Sequence, residues 1–319
     1  MTLTPGYLDA LRQRVNDRLG EVYPHGPRLL AEPVRYALAG KGKRLRPILT
    51  LLTCQACGGG ETDALHAAVA VEILHNFTLV HDDIMDQDHT RHGQATVHTK
   101  WDDSIGILAG DALFILALAE LRLSPGNVEP HTSAFAKGAL AVCEGQALDK
   151  EFEARSGVTL DECLQMIDLK TGYMLGLAAE LGAICASATR EQIEGMRRFG
   201  SLLGRAFQVQ DDLLEVFSDT GIMGKSLGSD LLAEKKTYLM IAALDKAPDQ
   251  VQQAVETART NLEAGLAALR DILLTTGVKE EAEATVHNTI DQAMTEILPL
   301  GKRAEPLREF AHLVLNREK

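Results

Sequence analysis

The chain has 319 residues, of which 45% are hydrophobic and only 4% aromatic, and its formal net charge is −13 at pH 7. That charge disfavours nucleic acid as a partner, because phosphate backbones are bound through an excess of lysine and arginine. Five cysteines, an odd number without a disulfide-rich spacing, fit a reducing cytoplasm, and Met1-Thr2-Leu3-Thr4-Pro5 lacks the charged stretch and apolar core of a signal peptide.

Two average domains would fit this length, but no linker is visible, and a single domain over residues 1–319 is expected. No proline falls between Pro47 and Pro125 or between Pro130 and Pro248, so long helices are permitted there. Apolar alternation and β-branched runs are scarce, and the expected class is all-α.

In chain order, the first notable element is Lys41-Gly42-Lys43-Arg44-Leu45-Arg46-Pro47, four positive charges in an acidic chain. Pro47 fits a first helical turn, Ile48-Leu49-Thr50-Leu51-Leu52 continues it as an apolar helix, and Gly58-Gly59-Gly60 ends it. Alone, this is a basic loop before a helix. Cys54-Gln55-Ala56-Cys57 has zinc spacing but no second pair, so it reads as packed thiols on that helix.

The run Val69 to Val80 is mostly apolar and leads into Asp82-Asp83-Ile84-Met85-Asp86. Residues four apart share a helix face, so Asp82 and Asp86 converge, with Asp83 one step around. At about 4 Å and a near-surface dielectric, two such charges repel by roughly 4 kcal/mol. Folding alone would hardly select that. Mg2+ would offset it, binding through a few carboxylates while keeping water and substrate phosphate as its other ligands.

Ile105 to Leu123 is the longest hydrophobic stretch, and Asp111, Glu120 and Arg122 within it predict a buried helix, at a subunit contact, and not a membrane span. Ser124 to Pro130 reads as a loop. A second apolar run, Leu202 to Val209, precedes Asp211-Asp212-Leu213-Leu214-Glu215, which repeats the first acidic arrangement. Gly224-Lys225-Ser226 ends like a P-loop, yet Asp219 stands where a glycine is required, so it is not a nucleotide site. From about Gln250 onward the pattern is of amphipathic helices, such as Val251 to Leu274. Beside two carboxylate metal sites, the basic cluster becomes a second phosphate pocket, one that uses guanidinium and ammonium groups directly.

On these motifs the chain resembles the trans-type polyprenyl diphosphate synthases, the family of farnesyl and geranylgeranyl diphosphate synthases, over roughly residues 35 to 240 in motif order. The resemblance implies one large antiparallel helical bundle of the isoprenoid synthase type around a central cavity, a homodimer, and Mg2+, about three ions with bound diphosphate. Asp82, Asp83 and Asp86 match the first aspartate motif. Asp211, Asp212 and Glu215 match the second, with glutamate in a usual aspartate place. Lys43, Arg46 and His75 fall where isopentenyl diphosphate binds. Arg91 matches the first of a paired arginine that reaches the allylic diphosphate, and His92 replaces the second, where histidine is only partly charged near neutral pH. Lys170 and Thr171 match a Lys-Thr motif, Gln208 a glutamine before the second aspartates, and Lys225, Asp230 and Lys235 follow in the expected order.

The implied chemistry is Mg2+-dependent head-to-tail condensation of isopentenyl diphosphate with allylic diphosphates. Arg91, Lys170 and Lys225 would stabilise the leaving diphosphate, and Thr171 and Gln208 the allylic cation. In a helix rising 1.5 Å per residue, Phe77 lies about 7.5 Å and Thr78 about 6 Å below Asp82, at the level a growing tail must pass. The Phe-Thr pair resembles enzymes that stop at twenty carbons, the geranylgeranyl product; the alternative is fifteen carbons, or Phe77 as a core residue. A class I terpene cyclase would need neither the Lys43/Arg46 pocket nor this second motif, and a non-catalytic synthase subunit would usually lose one motif's aspartates.

Overall fold

The structure is a computed structural model that describes residues 3–40, 42–217, 231–232 and 235–315. Its regular structure is helical throughout, apart from one antiparallel pair of two-residue strands among the described residues, β1 (Thr90–Arg91) and β2 (Gln94–Ala95). The all-α class is therefore the observed one.

Contacts group the chain into two units, each assembled from separated stretches. The first takes Met1–Ala139, Met174–Gly200 and Glu296–Val314; the second takes Leu140–Tyr173, Ser201–Thr295 and Leu315–Lys319.

The first unit contains α1 (Pro5–Glu21), α2 (Arg28–Leu38), α3 (Leu45–Ala56), α4 (Leu65–Met85), α5 (Val97–Lys100) and α6 (Asp103–Leu121). In α4 every residue from Ala67 to Leu74 is buried, the signature of a helix enclosed on all sides. It packs against α3 and most extensively against α6. Two α6 glycines one turn apart allow that approach: a Cβ on Gly106 would come 2.7 Å from Ile84 Cδ1, and one on Gly110 would enter the His81 ring. Both contacts bear on the end of α4 that carries the first aspartate motif. Asp102 starts α6 by accepting from the Ile105 backbone N–H at 2.8 Å. The glycine triplet ends α3 as expected, with Gly58 at φ +97° after the cap residue Cys57.

The apolar stretch of α6 departs from expectation. Only 39% of its 18-residue core window is buried, and Ile107, Leu108 and Ile115 stand exposed. It is the one described helix long and apolar enough to cross a membrane by length and composition. Its buried side holds Glu120, which accepts from Arg18 Nε and Nη2, both at 2.8 Å, and lies 2.7 Å from His66 Nδ1.

In the second unit, α7 (Val128–Glu153, from Leu140 on), α8 (Leu160–Ile167) and α10 (Arg190–Phe217, from Ser201 on) surround a π-helical turn, Asp168–Gly172, which runs on into α9 (Tyr173–Cys185). Helix α7 starts at Val128, so the loop expected to reach Pro130 is shorter, the proline sitting in the first helical turn. The single helix expected from Val251 to Leu274 is two, Pro248–Thr260 and Leu262–Thr275. Asn261 breaks it: its backbone is extended, and its side chain accepts from the Ala264 N–H. The two helices fold back on each other so closely that a Cβ on Gly265 would meet the Ala258 backbone.

Candidate active site

Each unit carries one cluster of the residues singled out by sequence. In the first unit, Lys43 and Arg46 flank the start of α3, and the two aspartates Asp82 and Asp86 lie one turn apart at the end of α4. His75 stands two turns earlier on α4, with its Nε2 3.1 Å from Arg46 Nη1. A guanidinium can only donate, so His75 Nε2 accepts and the ring proton sits on Nδ1. Burial, then the charge of Arg46, hold the His75 pKa well below its ordinary value, and the ring is neutral at pH 7.

The cationic cluster divides. Lys43 is exposed and Arg46 half-buried, whereas Arg44 turns inward and is buried. Lys41 lies outside the described residues.

The first acidic motif divides as well. Asp82 is half-buried and Asp86 exposed, but Asp83 is buried and accepts from Arg91 Nε at 2.6 Å. Burial raises the Asp83 pKa, and the facing Arg91 charge only partly opposes that. Arg91 ends β1, and the turn to β2 is His92-Gly93, both in the left-handed region at φ +50° and +75°. A two-residue hairpin needs that geometry. It leaves His92 exposed at the rim of a cavity shared with His75, Asp83 and Arg91.

In the second unit, Lys170 and Thr171 sit on the π turn, a feature that often marks functional positions in helices. The turn is tightly enclosed: a Cβ on Gly145 would come 2.7 Å from Lys170 N, and one on Gly204 would come 2.8 Å from Gly172 Cα. Arg205 and Asp168 pair through two parallel hydrogen bonds, tying the turn to α10. Thr171 Oγ1 donates to Gln208 Oε1 at 3.0 Å, and Gln208 Nε2 donates to Asp212 Oδ1 at 3.1 Å. The Tyr238 backbone N–H donates to the other Asp212 oxygen at 3.1 Å. Burial pushes Asp212 up to about 7 against the pull of these donors. Asp211 and Glu215, a turn apart, are half-buried, and Lys235 is exposed. Lys225 and Asp230 lie outside the described residues.

The carboxylate oxygens of Asp82 and Asp86, and of Asp211 and Glu215, form a hard donor set suited to Mg2+. Among the described residues no three such side chains close into a protein-only metal cage. Mg2+ does not require one, since it keeps water and phosphate ligands.

Two residues of the second unit were not anticipated. Asp149 accepts from Lys170 Nζ at 2.8 Å and lines a cavity with Lys170, Thr171, Gln208, Asp212 and Lys235. Gln146, one turn earlier on α7, is buried, and neither of its side-chain amide atoms has a hydrogen-bond partner among the described residues. The spacing Gln146-x-x-Asp149 on a helix was the available signal. In the first unit, Phe114 was also missed: its ring lies 5.3 Å from that of Phe77 and 6.0 Å from that of Phe135. Thr78 Oγ1 donates to the His75 carbonyl at 2.8 Å.

Known proteins resemble this chain over most of its length. The polyprenyl synthetase family profile matches residues 27–272. The short chain isoprenyl diphosphate synthase of Methanothermobacter thermautotrophicus is 33% identical over 324 residues, covering 100% of this chain and 98% of its own. The geranylgeranyl diphosphate synthase of Methanosarcina mazei is 41% identical over 223 residues, 69% of each chain. The crystal structure of geranylgeranyl pyrophosphate synthetase from Pyrococcus horikoshii matches with a TM-score of 0.92 at 32% identity, covering 98% of both chains. The chain belongs to the polyprenyl synthetase family and is a prenyltransferase.

Proposed function

We propose that this prenyltransferase joins isopentenyl diphosphate head to tail to allylic diphosphates and stops at the twenty-carbon product. The observation that carries the reading is two kinds of anion site in one chain. Lys43 and Arg46, beside a neutral His75, offer direct cationic contact, while Asp82/Asp86 and Asp211/Glu215 offer carboxylates of the hard-metal type.

Mg2+ held by those carboxylates would neutralise charge developing on the departing diphosphate. Lys170, Lys235 and Lys225 bind the oxygens of that group, Lys170 exchanging its contact with Asp149 for one with substrate. In the first unit Arg91 fixes Asp83, its Nε donating to that carboxylate. As the allylic C–O bond breaks, the Thr171 hydroxyl and the Gln208 amide, already hydrogen-bonded together, stabilise the cation without trapping it. The double bond of isopentenyl diphosphate, held by Lys43, Arg46 and His75 with His92 at the rim, attacks that cation. Loss of a proton to the released pyrophosphate completes the extension.

The names of the Methanosarcina and Pyrococcus relatives support twenty carbons, as does the small Thr78 nearest the first aspartates. The Phe77–Phe114 ring contact favours the fifteen-carbon reading, since an aromatic pair at that depth would shorten the tail. The exposed apolar face of α6 supports a homodimer formed through it. A cytoplasmic location is part of the same reading.

The test is to incubate the purified protein with Mg2+, labelled isopentenyl diphosphate and, separately, dimethylallyl, geranyl or farnesyl diphosphate, and to separate dephosphorylated products by length. A ladder ending at twenty carbons is expected. One ending at fifteen keeps the chemistry and discards the length assignment, and no extension from any starter discards the function.

A further inference from the structure

We propose that Arg44 is the positioning residue of the isopentenyl diphosphate site: it holds the loop before α3 so that Lys43 and Arg46 present their charges, and it does not itself touch substrate. This rests on the function proposed above.

The geometry is that of a clamp. Arg44 is the N-terminal cap residue of α3, with φ +54°, a left-handed backbone that a bulky residue adopts only when its surroundings enforce it. The residue is 6% exposed and the four hydrogen bonds of its guanidinium go four ways. Nη1 donates to Glu72 Oε1 at 2.6 Å and Nε to Asn16 Oδ1 at 2.9 Å. Nη2 donates to the backbone carbonyls of Leu38 at 2.9 Å and Gly40 at 2.7 Å. The guanidinium therefore pins the end of α2 and the loop leaving it to α1 and α4.

Glu72, itself 4% exposed, lies three residues before His75 on the same face of α4. One helix face thus receives two guanidinium groups in parallel, Arg44 on Glu72 and Arg46 on His75. The first pair cancels its charge internally. The second sets a cation against a neutral ring, since His75 accepts from Arg46 uncharged. A charge count of the segment treats Arg44 and Arg46 alike; the structure gives them opposite tasks.

The experiment compares Arg44→Met and the double variant Arg44→Met/Glu72→Met with the wild type in steady-state kinetics and thermal melts. Removing both members of a buried pair leaves no unpaired charge, so the double variant is expected to fold and to melt above Arg44→Met alone. It still lacks the donors to the Leu38 and Gly40 carbonyls. Its KM for isopentenyl diphosphate is expected to rise about tenfold or more, since loosening a site by an ångström costs on that order. Its kcat at saturation and its KM for the allylic diphosphate should stay within about twofold. A folded double variant with wild-type KM for isopentenyl diphosphate overturns the proposal. If that variant does not fold, Asn16→Ala, on an exposed residue, removes one of the four bonds; a selective rise of about two- to threefold in the same KM supports the role, and no change overturns it. A wild type that condenses nothing overturns the proposed function and this inference with it, whereas an active wild type with indifferent variants overturns this inference alone.

Discussion

At the scale of the residue, neighbouring carboxylates have opposite surroundings. Asp82 is accessible for metal, while Asp83 is buried on Arg91 and Asp212 on Gln208 and the Tyr238 N–H. Asp82→Ala is accordingly expected to cut turnover by about two orders of magnitude or more at saturating Mg2+, measured as product formed per enzyme. Unchanged turnover would remove the first motif from the mechanism. The spacing of the two motifs was legible in the sequence because a fourfold helical interval is a geometric constant. Which aspartate turns inward was not, because it depends on Arg91, eight residues on, and on a backbone N–H twenty-six residues on. Away from these clusters, Glu120 shows how one buried charge sets acid tolerance. Burial pushes its pKa up, but hydrogen bonds from Arg18 and His66 outweigh that and hold it below the usual value. A lowered folded pKa contributes stability above about pH 4.5 that is lost as pH falls through the folded value. Glu120→Gln is expected to cost roughly 2–3 kcal/mol at pH 7, with Arg18 a quarter exposed, and less at pH 4. Urea melts at both pH values check this, and an equal loss at both would refute the assignment.

At the scale of the element, the decisive features are departures from regular helix. The π turn Asp168–Gly172 could not be read from the sequence, because the extra residue is accommodated by Gly145 and Gly204, distant in the chain and legible only as two glycines in helices. The break at Asn261 had a visible sign, a capping residue, that the uninterrupted apolar pattern on either side concealed. Along α4 the level of Phe77 and Thr78 was readable from helical rise, but the facing wall was not: Phe114 comes from α6. Since the Phe77 ring is packed on Phe114 and edge-on to His81 at 4.9 Å, Phe77→Ala opens space at the depth a growing tail reaches. Its expected outcome is a product mixture shifted to at least one further five-carbon unit, read by chromatography of the prenyl alcohols. An unshifted product would make Phe77 a packing residue and place the length limit elsewhere.

At the scale of the whole molecule, the helical class was legible from the absence of strand patterning and the placement of prolines. The partial exposure of α6 was not, since its apolar run is nearly continuous and carries little periodicity to mark an outer face. Leu108 is 54% and Ile115 63% exposed, and a patch of this kind is seldom left in water. Leu108→Glu/Ile115→Glu is expected to convert the dimer proposed above to a monomer by light scattering at matched concentration; a double variant that remains dimeric would move the contact to another face, and a monomeric wild type would remove the proposed dimer. The composition of the two units has one more consequence, for the order in which the chain becomes a protein. The first unit includes Glu296–Val314, which is synthesised after the whole Ser201–Thr295 stretch of the second. Its first helices leave the ribosome long before the segment that closes their core, so this unit cannot complete its folding until that later segment has emerged. The apolar helices α3, α4 and α6 must wait in an incomplete assembly meanwhile, the period in which such a chain depends most on chaperones.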